Sequence, residues 1–190
     1  MIRLAVALGN SPEKYSKTRH NAGQIVLRHW AKELGKSFSY NKFCSANITR
    51  VQVGNNELIL ADMLGYMNES GVNLKKVLKF FKLNISEVAI FYDDITMDLG
   101  RLKITERASS GGHNGLADII SQFGTDFLRY RVGIGAKPFK TMPLSDYVLS
   151  KLSDIEIEQL QSLTGQVAKS FELMFTKGIA FAQNLINQKK

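Results

Sequence analysis

A chain of 190 residues, 44% of them apolar, is long enough to bury one core without staples, and a single domain spanning 1–190 is expected. One cysteine, Cys44, excludes an intrachain disulfide; apolar runs far below the roughly 20 residues of a spanning helix exclude membrane insertion; and with no charged-then-apolar leader the cytoplasm is the expected compartment. The net charge of +8, from 25 Lys and Arg against 17 Asp and Glu, attracts polyanions and makes nucleic acid a partner class to consider, although solubility alone makes many domains basic.

Ile2 to Leu8 is a short, nearly continuous apolar run ending at Gly9-Asn10, as in a central strand covered on both faces. After a loop to His20, the spacing of Ile25, Val26, His29, Trp30 and Leu34 predicts a helix over Asn21 to Leu34, with Thr18 or Asn21 as cap and Gly35 as stop. Phe38 to Val53 alternates loosely, Gly54-Asn55-Asn56 signals a turn, and Glu57 to Ala61 is again strand-like, which predicts a hairpin. A helical stripe covers Val72 to Phe81, and a strand over Val88 to Tyr92 ends at Asp93-Asp94. Arg101 to Thr105 and Leu128 to Ile134 read as strands, with a glycine-opened helix from Asn114 to Phe123 between them. From Asp154 to about residue 186, apolar positions repeat at three to four, predicting a long amphipathic helix with a break at Gly178 and a frayed end at Gln188-Lys189-Lys190. Strands and helices thus interleave as in an α/β domain.

Three loops hold the residues with chemistry: Thr18-Arg19-His20-Asn21, Tyr66-Met67-Asn68 and Gly111-Gly112-His113-Asn114. Buried unpaired, their amides and imidazoles would each cost roughly 2–7 kcal/mol, so glycine-bordered loops that carry them suggest a polar task. Asp93, at a strand end, is suited to accept Nδ1–H from an imidazole, and such a pair is a general-base dyad that needs no side-chain nucleophile; a plain turn cap is the alternative. Asn10, Asn21, Asn68 and Asn114 can offer NH2 donors to a carbonyl or a developing oxyanion, as acyl transfer needs, though such a residue alone is more often a turn or cap residue. The Ser-x-x-Lys match at Ser11-Pro12-Glu13-Lys14 lacks its partner motifs. Histidines at 20, 29 and 113 do not supply a His-Glu-x-x-His metal site.

Taken in order, Leu8-Gly9-Asn10 with Tyr15, Thr18 to Gly23, Tyr66 to Gly71, Asp93 with Gly100-Arg101-Leu102, Gly111 to Leu116 and Arg131 to Gly135 resemble the bacterial-type peptidyl-tRNA hydrolase family over almost the whole chain. The resemblance implies a twisted mixed β-sheet between helices and a monomeric cytoplasmic esterase that cuts the bond between a peptide and the 3′ ribose of tRNA without a metal or other cofactor. It makes His20 the general base that activates water and Asp93 its orienting acid. Asn10 would help tell N-blocked from free aminoacyl esters, Tyr15, Tyr66, Met67, Asn68 and Asn114 would line the groove that holds the peptide and the 3′ end, and His113 would support the far side. Lys103, Arg129 and Arg131 are the expected tRNA contacts, with Lys137 and Lys140 read as a solvated face. Ser11-Pro12, Asp62-Met63 and Ala108-Ser109-Ser110 depart from the family pattern and alter loop stiffness rather than the reacting groups. Rival readings are a binding module that keeps RNA affinity without hydrolysis and a peptidase-like amide hydrolase.

Overall fold

A computed structural model describes residues 1–188. Its centre is one seven-stranded mixed sheet built from β1 (Leu4–Ala7), β2 (Ser39–Asn41), β3 (Ala46–Val53), β4 (Asn56–Met63), β5 (Val88–Asp94), β6 (Leu102–Glu106) and β7 (Leu128–Gly133). Their order across the sheet is β2-β3-β4-β1-β5-β7-β6. The four middle strands, β4, β1, β5 and β7, run parallel. Antiparallel partners flank them, β2 and β3 on one side and β6 on the other.

The apolar run that forms β1 is continuous because both of its faces are covered. Ala5 and Ala7 face a core shared with Val26, Leu27, Trp30, Val167 and Phe171, while Leu4, Val6 and Leu8 face a second core with Leu74, Val77, Leu116 and Ile119. The first layer consists of α1 (Ala22–Glu33), α5 (Asp154–Gln161), α6 (Thr164–Lys177) and α7 (Ile179–Asn187); the second consists of α2 (Ser70–Phe81) and α3 (Asn114–Phe123), and a short α4 (Leu144–Val148) precedes α5. The result is the expected α/β architecture. The predicted hairpin forms from β3 and β4 around the two-residue turn Gly54-Asn55, where Gly54 takes φ 59°. No helix among the described residues is long and apolar enough to cross a membrane.

The expected long helix over 154–186 is three helices. Gly178, at φ 89°, ends α6 and opens α7 as anticipated, but a second break at Ser162-Leu163 separates α5 from α6. Periodicity runs through this break because buried Leu160, Leu163 and Val167 keep their phase across a two-residue turn. The anticipated fraying of 188–190 falls in part on Lys189 and Lys190, which lie outside the described residues.

Helix α1 lies directly on β5. A Cβ at Gly23 would stand 2.6 Å from the Phe91 carbonyl oxygen, so any larger residue would lift the helix from the strand. This close approach sets the turn before α1 beside the end of β5.

Candidate active site

The parallel strands bring their carboxyl ends to one edge, where α/β sheets gather ligand-binding groups. Asn10 follows β1, Tyr66 to Asn68 follow β4, and Asp93 lies at the end of β5. His20 lies in the 3-10 turn Arg19–Asn21 that leads into α1, and the backbone N–H of Arg19 donates to Ser150 O at 3.1 Å. His113 arrives on the loop after β6, which turns through Gly111 at φ 58° and Gly112 at φ 82°, a region closed to most side chains.

The geometry centres on one carboxylate oxygen. Asp93 Oδ1 lies 2.7 Å from His20 Nδ1 and 2.9 Å from His113 Nε2, and the two rings sit 4.9 Å apart. Neighbouring bonds fix the tautomers. Leu116 N–H donates to His113 Nδ1 at 3.2 Å and thereby caps α3, so the proton of His113 sits on Nε2 and points at Asp93. His20 donates Nδ1–H to the same oxygen. Its Nε2 is then left with a free lone pair, neither paired with a protein group nor sealed among the described residues. Burial alone would raise the Asp93 carboxyl; the two imidazoles that face it and donate to it reverse this and hold it well below the usual carboxylate range.

His20, Asp93, His113, Asn114 and Arg131 line one cavity of about 480 Å³, together with the 108–112 loop and Leu144, Ser145 and Val148 from the α4 region. A larger cavity of about 900 Å³ lies between the 98–102 segment and α6 and α7, but it holds no imidazole or paired acid and base, so size does not mark the site. The ligand atoms of His20, Asp93 and His113 lie within 4.8 Å of one another and could in principle hold a metal ion. Their facing atoms are, however, already paired with one another.

Asn10 and Asn21 form a clasp. Asn10 N–H donates to Asn21 Oδ1 and Asn21 Nδ2 donates to Asn10 O, each at 2.9 Å, so Asn21 is not the side-chain cap that its position suggests. Asn10 Oδ1 accepts from Met67 N–H at 2.9 Å, which orients the side-chain amide and leaves its NH2 as a spare donor. Ser11 ties the same two loops together: its N–H donates to Gly65 O and its Oγ accepts from Gly65 N–H, both at 2.9 Å. Met67 is buried, whereas Tyr66, Asn68 and Asn114 are exposed; of the expected substrate-binding residues only His113 and Asn114 line the 480 Å³ cavity, and Asn10, Tyr66, Met67 and Asn68 do not. Tyr15 lies apart from the cavity lining, its ring 4.8 Å from the Lys14 ammonium.

The three expected tRNA contacts divide. Arg129 is completely buried and cannot meet a phosphate; its Nη1 donates to Ser109 O at 2.8 Å and its Nη2 to Ala108 O, so it anchors the loop that carries His113. Arg131, two residues on and on the same face, stays partly open, with Nε donating to Asp94 Oδ2 at 2.6 Å and Nη2 to Thr96 Oγ1 at 3.3 Å. Lys103 pairs with Arg131 across the β6–β7 register and is half-buried. Burial would raise Asp94, but hydrogen bonds from Thr96 and Arg131 bring it below its ordinary value. The Asp-x-Thr spacing of this clip is an Asx-turn signal in the sequence that the sequence reading did not single out.

A mixed sheet covered on both faces, with an imidazole–carboxylate pair at the ends of its parallel strands, places the molecule among α/β proteins equipped for proton transfer. Residues 4–190 match the family model described as peptidyl-tRNA hydrolase. The peptidyl-tRNA hydrolase of Lachnoclostridium phytofermentans is 35% identical over 188 residues, covering 98% of this chain and 97% of the relative. That of Thermotoga maritima is 36% identical over 190 residues, covering 97% and 96%. The crystal structure of the Acinetobacter baumannii peptidyl-tRNA hydrolase superposes with a TM-score of 0.89 at 29% identity, over 100% of this chain and 96% of the other. This chain belongs to the peptidyl-tRNA hydrolase family.

Proposed function

We propose that this protein hydrolyses the ester between a peptide, or an N-blocked aminoacyl group, and the 3′ ribose of tRNA, acting as a cytoplasmic monomer. The observation that carries the mechanism is the 2.7 Å contact between His20 Nδ1 and Asp93 Oδ1 at the wall of a cavity. With Nδ1–H committed to Asp93, His20 Nε2 takes a proton from water as the water oxygen attacks the acyl carbon. Asp93 holds the ring in the required tautomer and stabilises the imidazolium that forms. The oxyanion draws on neutral amide donors, for which the spare NH2 of Asn10 and the exposed amides of Asn68 and Asn114 are the candidates. As the tetrahedral intermediate collapses, the proton on His20 passes to the departing 3′ oxygen. His113 acts at one remove by fixing Asp93 Oδ1 from the other side. Lys103 and Arg131 offer charge to the nucleic-acid portion.

Replacing His20 with Ala is expected to lower kcat on an N-blocked aminoacyl-tRNA by about 10²–10⁴-fold, with tRNA affinity and circular dichroism unchanged. Turnover equal to that of the parent protein would overturn the assignment.

A further inference from the structure

A second face of the molecule is strongly basic and lies outside the candidate active site. Helix α2 leaves the Asn68 loop and carries Lys75, Lys76 and Lys79 exposed on its outer side, followed by exposed Lys82 at its C-cap. No acidic residue occurs between Ser70 and Phe81, and none of the four lysines makes an ion pair among the described residues. Lysines spaced three and four apart repel one another along a helix, so this run destabilises the free protein and is offset when an anion binds.

Beside the lysines is a pair of flat exposed rings. Phe43 is 72% and Phe80 41% exposed, and the two stack at 6.1 Å between centroids with only 4° between their planes. The Lys42 ammonium sits 5.2 Å from the Phe43 centroid. The loop is pinned in this position, because Asn41 Oδ1 accepts from Phe43 N–H at 2.9 Å and Cys44 beneath is fully buried. On the other side of Phe80 runs a groove of about 440 Å³ lined by Arg3, Arg50, Glu57, Phe81 and Lys82. Its acids are already engaged, Glu57 by Arg50 and neighbouring Glu87 by Arg3, which leaves Lys82 uncompensated.

We propose that this face, from Lys42 and Phe43 across α2 to Lys82, binds a single-stranded RNA segment, with phosphates on the lysines and an unpaired base against the Phe43–Phe80 pair. Exposed rings beside a track of cations are the elements of a sequence-tolerant single-strand site. A lipid surface fits less well, because Leu74, Val77 and Leu78 of α2 are spent in the core and the helix has no continuous apolar face to insert, only Val72 and Phe80 with Phe43 beside them. Phe80 stands 12 residues beyond Asn68, roughly 18 Å along a helix, so the RNA held here lies beyond the acyl end at His20. The inference rests on the proposed RNA-ester substrate only in that RNA is then at hand.

Anisotropy of a fluorescent 12-nucleotide oligo(U), titrated at several salt concentrations, tests it. Neutralising the track in K75Q/K76Q/K79Q/K82Q is expected to weaken binding at least 10-fold and to flatten the log–log salt slope by up to about 3, at about 0.7 for each phosphate no longer neutralised. F43A, which removes a mostly exposed ring, is expected to weaken oligo(U) several-fold and to leave a blunt RNA duplex of the same length unaffected. Both variants should cleave a short N-blocked aminoacyl ester at the parent rate. Unchanged oligo(U) affinity in the quadruple variant, an F43A effect equal on single strand and duplex or absent on both, or a loss seen only with phosphatidylserine vesicles would each overturn the proposal. Failure of the parent protein itself to cleave the short ester would instead count against the proposed reaction, because the binding measurement does not depend on turnover.

Discussion

One carboxylate oxygen serves two imidazoles, and this sharing sets the acid response of the site. Asp93 is buried yet stays ionised because His20 and His113 face it. Its folded pKa is depressed, so its contribution to stability is fully present above the ordinary carboxylate pKa of about 3.9 and is lost as pH falls toward its lower folded value. Urea unfolding should therefore show the stability gap between the parent protein and D93N narrowing as pH falls below about 4, with the parent losing more; a gap that stays constant below that pH would contradict the assigned depression. At this scale the sequence was informative, since imidazoles, amides and an acid placed in loops after strands are costly without a polar purpose. The clasp role of Asn21 was not legible, because a residue before a helix has the same identity whether its side chain caps the helix or ties down a distant loop.

Between elements, Arg129 shows how a surface reading fails. Alternation along β7 correctly puts Arg129 and Arg131 on one face, but the cover over residue 129 comes from the 108–112 loop, more than a dozen residues away in sequence. Burial lowers the Arg129 pKa, and the two carbonyls it binds hold that loop in place. R129M should keep the buried stem and lose the tether, slowing cleavage of a short ester and of peptidyl-tRNA alike, by about 10-fold or more if His113 shifts by an ångström. The salt slope of tRNA binding should not move, and a decrease of about 0.7–0.9 would instead mark a phosphate contact. The break between α5 and α6 escaped notice for a related reason: the spacing of Leu160, Leu163 and Val167 is the same with or without a turn between them.

For the molecule as a whole, the charge of +8 is distributed over distinct faces, with Lys103 and Arg131 near the cavity and the α2 lysines on the outer surface. K103Q should weaken tRNA binding and reduce its salt slope by about 0.7–0.9, while a short ester without a tRNA body is turned over as before. Equal losses on both substrates would place Lys103 in the chemistry instead. The α/β class and most strands and helices were legible from periodicity, because an element whose faces are both buried has few alternative patterns. The mixed order of the sheet was not, since pairing of β1 with both β4 and β5 is decided by contacts between segments far apart in the chain.

That pairing has a consequence for biosynthesis. The central strand leaves the ribosome before the strands it pairs with, Ile59 to Asp62 and Val88 to Phe91, and the sheet is not complete until β7 has emerged at Gly133. Until Val88 to Phe91 has emerged, Leu4 to Leu8 lacks one or both of its neighbours, and the nascent polypeptide depends on chaperones or on speed to avoid sticking to others like itself. Translation halted before residue 128 should yield a fragment that precipitates or is rapidly proteolysed, whereas a soluble, protease-resistant fragment would show that β4, β1 and β5 assemble without the last parallel strand.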